Sequence, residues 1–138
     1  MMQNKIRTGI IGLGRIGWNY HALEIAKHNS YELIAVADIN TNFLKEAHTR
    51  FQCRCFEDYQ QMIQNVDLDL VVIASPTFLH YSMLIYSLEA GINVICEKPM
   101  VMNHKEAVHI QELAKKYNCV VTVFQPRRLS AYFQKLND

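Results

Sequence analysis

Six residues near the N-terminus, Gly12-Leu13-Gly14-Arg15-Ile16-Gly17, restrict the fold of this chain more than any other stretch. They lie between an apolar run, Lys5–Ile11, and a helical pattern, Ile16–His28. Three glycines at that spacing have separate tasks at a strand-to-helix turn. The first allows the tight turn, the second lets an anionic group approach the backbone with no Cβ in the way, and the third lets helix and sheet pack closely. The N–H groups of Arg15 and Ile16 then stand free at a helix N-terminus, where the macrodipole favours an anion. An acidic residue, Asp38, ends the next apolar run, Tyr31–Asp38, 21 positions after Gly17. A strand before the turn, a helix after it and an acid at that distance make the layout of a dinucleotide-binding βαβ unit. The alternative reading is an ordinary glycine-rich turn.

The rest of the chain repeats the alternation. Helical patterns cover Thr41–Phe51, with Phe43, Leu44, Ala47 and Phe51 on one stripe, and Tyr59–Gln64, with Asp58 as its candidate N-cap. Thr77–Ala90 reads as a helix stopped by Gly91, and Asn103 caps a helix running to Tyr117, with Glu106 at the capping-box position. Met83, Leu84 and Leu88, and Ile110, Leu113 and Ala114, mark the core faces of these two helices. Between the helices, Cys53–Phe56, Leu70–Ala74, Asn93–Cys96 and Cys119–Phe124 read as strands. Continuous apolar strands alternating with helices imply a parallel sheet covered on both faces. Right-handed crossovers give an α/β, doubly wound parallel sheet of about six strands in the order 3-2-1-4-5-6, in a single domain. Residues 1–124 form this unit. Residues 125–138 read as a crossover segment followed by an amphipathic tail helix, with Leu129, Tyr132, Phe133 and Leu136 at helical spacing.

Composition narrows the setting. Among 138 residues, half are hydrophobic and a fifth charged, as in an ordinary globular domain with its own core. The net charge of +1 comes without a basic block, which argues against nucleic acid or an anionic membrane as partner. No apolar run approaches a membrane span, and residues 1–5 lead straight into the first strand. Four cysteines do not make a disulfide framework in a chain of this length. Cys53 and Cys55 are too close for an ordinary bridge, and neither they nor the six scattered histidines have zinc spacing. Cys96 and Cys119 fall in strands, where a free thiol acts as a small hydrophobe. A reduced, cytoplasmic setting is expected, with no metal.

The candidate functional residues cluster at the carboxyl ends of strands. Asp38 is placed to accept hydrogen bonds from the adenosine ribose hydroxyls. A 2′-phosphate there meets a like charge, which favours NAD over NADP, although the Arg15 guanidinium could partly compensate. Asp38 as a cap for the next helix is the alternative. Ser75-Pro76-Thr77 offers hydroxyls and a helix N-terminus to the cofactor, or plain capping. His80, in the first turn of that helix, reads as a packing or capping group that could also border the cofactor. Glu97-Lys98-Pro99 closes the fifth strand, where a lysine offers a mobile positive charge to a carbonyl, a hydroxyl or the nicotinamide amide. A solvated surface turn is the competing account. The cofactor-binding set is therefore Gly12, Leu13, Gly14, Arg15, Ile16, Gly17, Asp38, Ile39, Ser75, Pro76, Thr77, His80, Glu97 and Lys98.

Gly12–Gly17, Ala35-Val36-Ala37-Asp38, Ser75-Pro76-Thr77-Phe78-Leu79-His80 and Glu97-Lys98-Pro99-Met100, taken together, resemble the Gfo/Idh/MocA family of NAD(P)-dependent oxidoreductases, with its Rossmann nucleotide-binding domain. The resemblance covers essentially the whole chain, and the EKP segment is far more specific than the glycine turn. It implies that Lys98 sits by the nicotinamide and substrate as a catalytic residue, and that the Lys98–Pro99 peptide is cis. Gln125-Pro126-Arg127-Arg128 is similar to the family's crossover segment, with Gln and Pro replacing part of it. The resemblance also implies a second α/β domain that carries a catalytic histidine in a D-x-x-x-H helix and most of the substrate pocket; no histidine follows His109 here. The expectation is thus the nucleotide-binding half of a dehydrogenase for a sugar, cyclitol or nucleotide-sugar secondary alcohol, inactive alone, and either excised or naturally truncated. The alternative is a stand-alone NAD-binding module, a redox sensor or a subunit of a larger assembly. A homodimer through the tail or the sheet edge would cover the apolar tail.

Overall fold

A computed structural model describes residues 4–131, 133 and 135, and for Leu129 the backbone alone. Six strands, β1 (Ile6–Ile11), β2 (Tyr31–Ala37), β3 (Arg54–Phe56), β4 (Leu70–Ile73), β5 (Asn93–Cys96) and β6 (Val121–Val123), form one sheet. The order is β3-β2-β1-β4-β5-β6 and every neighbouring pair is parallel, as the alternating pattern predicts. The order reverses between β1 and β4, and a doubly wound sheet opens a crevice at the carboxyl ends of the strands there.

Residues that alternate along each strand supply two separate cores. Ile10, Val36 and Val72 face the helices α1 (residues 15–27) and α2 (Thr41–Phe51), packing with Ala22, Leu44 and Ala47. Ile11, Val71, Ile73, Val94 and Cys96 face α3 (Tyr59–Asn65), α4 (Thr77–Glu89) and α5 (His104–Lys116), packing with Met62, Leu84, Leu88, Ile110 and Leu113. All four residues of β4 are buried, because helices cover both of its faces.

Local signals set the helix ends. The Asn40 side chain accepts from the Asn42 N–H at 3.0 Å and caps α2, and Asp58 does the same for α3 through the Gln60 N–H at 2.9 Å. Asn103 caps α5 through the Glu106 N–H at 3.0 Å. The Glu106 carboxylate reaches back to the Met102 N–H at 2.9 Å, one residue beyond the capping-box donor expected from the sequence. Gly91, with φ +75°, ends α4 in the left-handed region.

Several elements differ from the sequence reading. All strands but β5, which has the bounds expected, are shorter by one or two residues at one or both ends. Cys119 consequently precedes β6 and is only half-buried. Helix α1 is not α-helical throughout: Gly17–Ala22 is a π-helical segment and Leu23–Lys27 an α-helix, with the Leu23 N–H donating to Trp18 O five residues back. After β6 the chain makes a 3₁₀ turn, Pro126–Leu129, where the amphipathic helix was expected to begin. Tyr132, Leu136 and the Leu129 side chain lie outside the described residues. No helix among the described residues is long and apolar enough to cross a membrane.

An ion pair sits at the opposite end of the sheet from the crevice. Arg7 donates through its backbone N–H and Nε to Asp69 Oδ2 at 2.8 and 2.9 Å and through Nη2 to Oδ1 at 2.7 Å, and it also contacts Asp67. The Asp69 N–H returns a bond to Arg7 O at 2.9 Å, so this pair sets the β1–β4 register. The Arg7 hydrogen bonds hold the Asp69 carboxyl at about 2, below its ordinary 3.8.

Two outcomes follow. A Cβ built on Gly17 lies 1.9 Å from Gly12 O, whereas one on Gly14 meets nothing within 4 Å. In urea unfolding G17A should cost about 3 kcal/mol or more, the upper range for an overpacked site, and G14A should stay within about 0.5 kcal/mol of the parent. The depressed Asp69 carboxyl adds stability that is complete above pH ~4 and lost as pH falls toward 2. Part of the acid-side loss should therefore vanish in D69N, read by thermal melts between pH 5 and 2.

Candidate functional site

The crevice forms where β1, β2, β4 and β5 end. β1 gives way to Gly12, whose φ of +94° only glycine adopts without strain. A Cβ at Gly12 would also meet Ala74 C and O and Ser75 N at 2.8 Å. The loops after β1 and β4 are therefore in backbone contact, and Gly17 brings α1 down onto the same point. The Trp18 N–H donating to Gly14 O at 2.9 Å is the first i→i−4 bond of α1. The N–H groups of Arg15, Ile16 and Gly17 thus precede any carbonyl partner in the helix. Beside them, a Cβ on Gly14 would meet nothing within 4 Å.

Asp38 is bound to this same loop. Its Oδ2 accepts the Leu13 N–H at 2.6 Å and its Oδ1 accepts the Asn40 N–H at 2.7 Å. The helix-cap alternative for Asp38 is excluded, since Asn40 holds that position. Each carboxylate oxygen keeps a lone pair for a further donor. Leu13 itself contributes only its backbone, for its side chain is 1% exposed in the α1–α2 core.

Two clefts meet over the loops. One, of about 610 Å³, is bordered by Gly12, Gly14, Arg15, Ile16, Asp38, Ile39, Ser75 and Pro76. Ile39 and Phe78 are 91% and 72% exposed on its walls, an unusual display of apolar surface for groups with no ligand to cover. The other, of about 490 Å³, shares Ile16, Ser75 and Pro76 with the first and adds Thr77, His80, Glu97 and Lys98. Tyr20, Phe124 and Arg127 complete its wall. A larger groove of about 710 Å³ lies between α5 and β6, away from these loops; of the motif residues only Met100 borders it. Every residue of the predicted cofactor set thus comes to one edge of the sheet. Gln125 borders neither cleft.

The capping alternative for Ser75-Pro76-Thr77 holds in position, since α4 starts at Thr77, but not through a side-chain bond. Pro76 occupies the cap of α4 with no side-chain hydrogen bond, and Ser75 Oγ turns inward to Met83 Sδ at 3.1 Å. His80, 1% exposed, bridges two turns: Nε2 lies 2.8 Å from Ser75 O and Nδ1 2.9 Å from Pro99 O. Carbonyls only accept, so the ring donates to both when it carries two protons and to one when it carries one. Its nitrogens are thereby occupied, in line with the packing reading. The Lys98–Pro99 peptide is cis, and Lys98 is exposed at the mouth of the cleft. Beneath it, burial and then the Glu97 charge push the Cys96 thiol up to about 12, which keeps it neutral.

Sequence reasoning passed over His21, Tyr20 and Phe78. His21 is buried, and its Nε2 lies 2.8 Å from Glu97 Oε1. Its signal was available: a histidine four residues after the packing glycine lies on the stripe that faces the sheet. Phe78 carried a weaker one, an aromatic in the exposed first turn of a helix at the ligand edge.

The family model described as "Oxidoreductase family, NAD-binding Rossmann fold" matches residues 6–125. The D-glucoside 3-dehydrogenase of Escherichia coli is 30% identical over 139 residues, covering 100% of this chain and 40% of that protein. Two solved structures superpose closely. The WlbA dehydrogenase from Bordetella pertussis, in complex with NADH and UDP-GlcNAcA, gives a TM-score of 0.91 at 30% identity, over 96% of this chain and 41% of that one. The scyllo-inositol dehydrogenase from Lactobacillus casei, with bound NAD(H) and scyllo-inositol, gives 0.90 at 30% identity, over 96% and 40%. The chain thus spans about 40% of the length of these relatives.

The His80 bridge has a measurable cost. H80L keeps an apolar filling but leaves the Ser75 and Pro99 carbonyls without their donor. It should destabilise the chain by about 1–3 kcal/mol in urea unfolding, from the cost of a part-buried acceptor left unpaired. A loss under about 0.5 kcal/mol would contradict the bridging role.

Proposed function

The chain belongs to the Gfo/Idh/MocA oxidoreductase family, whose domain here is an NAD-binding Rossmann fold, and from that premise we propose how its residues divide the work. The pyrophosphate of NAD lies over Gly14 and receives the N–H groups of Arg15, Ile16 and Gly17. Asp38 accepts from the adenosine ribose hydroxyls. Ile39 and Phe78 cover the adenine, and the nicotinamide enters the second cleft beside Ser75, Pro76, Thr77, Glu97 and Lys98. The observation that carries this reading is the junction at Gly14: unpartnered N–H donors beside open space, with Asp38 tied to the same loop by the 2.6 Å bond from the Leu13 N–H.

NAD, when bound, supplies hydride transfer to or from a substrate carbon. Lys98 donates to the oxygen on that carbon and holds it in place, withdrawing charge from it as a carbonyl or steadying it as an alkoxide. The resemblance assigns proton acceptance to a histidine of a second domain, so residues 1–124 are read as the nucleotide unit and 125–138 as the start of the next. Substrate class is inferred from the relatives named above: a secondary alcohol on a sugar, cyclitol or nucleotide-sugar. On its own the 138-residue chain should bind the cofactor and turn over little.

Asp38 sets the cofactor choice. Its carboxylate fits two ribose hydroxyls and repels a 2′-phosphate. By calorimetry NADH should bind at least about tenfold tighter than NADPH, a difference of about 1.4 kcal/mol. D38A should shrink that ratio by weakening NADH. Equal affinity for the two in the parent chain overturns the assignment. No heat with either, on folded protein, overturns the cofactor site itself.

A further inference from the structure

Beside the Lys98 turn lies a buried pair, of which the reading above uses only Glu97, as a wall of the nicotinamide cleft. The His21 side chain is 5% exposed and that of Glu97 12%. His21 Nε2 lies 2.8 Å from Glu97 Oε1, and since a carboxylate only accepts, the ring donates. The other oxygen, Oε2, accepts the backbone N–H of Lys98 at 3.2 Å. Phe124 closes the pair from the β6 side, its ring 4.6 Å from the His21 ring at 64°. His21 belongs to the π-helical segment of α1, whose first residue, Gly17, is pinned against Gly12. One chain of contacts therefore runs from the pyrophosphate turn, through the widened helix and the His21–Glu97 pair, to the backbone of Lys98.

A carboxylate this deep needs a buried donor. Without one it turns to water, and the nearest water is the cleft that Glu97 and Lys98 both border. Glu97 would then release the Lys98 N–H and bring negative charge to the nicotinamide end. We propose that His21 is a positioning residue, which through Glu97 fixes the backbone of Lys98 and keeps the nicotinamide cleft clear. This rests on the cofactor reading above.

The test compares H21L, which removes the donor, with H21Q, whose side-chain amide restores one. E97Q serves as a second lesion, because it removes the negative charge behind both hydrogen bonds and turns one of the two acceptors into a donor. Two readouts are taken on the 138-residue chain. In the free protein, the Lys98 amide resonance should move in H21L and E97Q and return toward its parent position in H21Q. In titrations, NADH should weaken about tenfold in H21L and E97Q, the scale of a lost charge-assisted hydrogen bond. ADP-ribose, which lacks the nicotinamide, should stay within about twofold, and H21Q should recover most of the NADH loss. An unmoved Lys98 amide overturns the proposal. Equal losses for NADH and ADP-ribose, or H21Q behaving as H21L, reduce the pair to general packing and also overturn it. A parent chain that binds neither ligand sinks the cofactor reading instead, and the Lys98 resonance still decides whether His21 holds that turn.

Discussion

A methyl group on Gly17 would stand 1.9 Å from the carbonyl oxygen of Gly12, and one on Gly12 would stand 2.8 Å from the backbone between Ala74 and Ser75. Three segments, the end of β1, the start of α1 and, remote from both in sequence, the loop after β4, meet there nearly backbone to backbone. That contact places a helix N-terminus at the point where strand order reverses. It brings the N–H groups of residues 15–17, which precede the first i→i−4 bond of α1, to that end of the sheet. A single Cβ at either position would push the helix away and scatter those donors. Gly14 differs in kind. A Cβ there meets nothing within 4 Å, so folding does not demand a glycine, and the role proposed for it is in binding.

Around this junction the loops are tied to one another by a few charged or ring groups. Asp38 binds the Leu13 N–H, Glu97 binds the Lys98 N–H and His21, and His80 spans Ser75 O and Pro99 O. Together these bonds tie the strand ends, the loops and the helices α1 and α4 to one another, so the edge is pre-organised before any ligand arrives, which lowers the ordering cost of binding. The outer walls are different. Ile39, Phe78 and Tyr20 stand exposed, offering apolar area to flat rings. Rigid polar contacts beneath and open apolar walls above is the division expected of a cofactor cleft.

Most of the architecture was legible in the residues. Buried parallel strands read as mostly apolar runs, so β1, β2, β4 and β5 are legible in the sequence, and the caps at Asp58 and Asn103 are short-range chemistry. What escaped depends on distance in space. The π-helical segment has no local signature; its Gly17 and His21 meet Gly12 and Glu97, residues just after β1 and β5. Asp38 accepting from Leu13 is equally invisible along the chain, though its consequence, an acid at the loop, was anticipated from spacing. His80 was placed as a packing residue, and its two carbonyl contacts show why a histidine rather than a leucine fills that site. His21 was missed because a lone histidine in a helix carries little weight until its partner is known.

The central claim is that an anionic bridge of a nicotinamide dinucleotide is held by the backbone of residues 14–17. A map of backbone amide resonances during titration with NADH tests it most directly. The largest displacements should fall on Gly14, Arg15, Ile16 and Gly17, with Leu13 and Asp38 following. Displacements confined to the groove between α5 and β6, with residues 13–17 unmoved, would contradict the account.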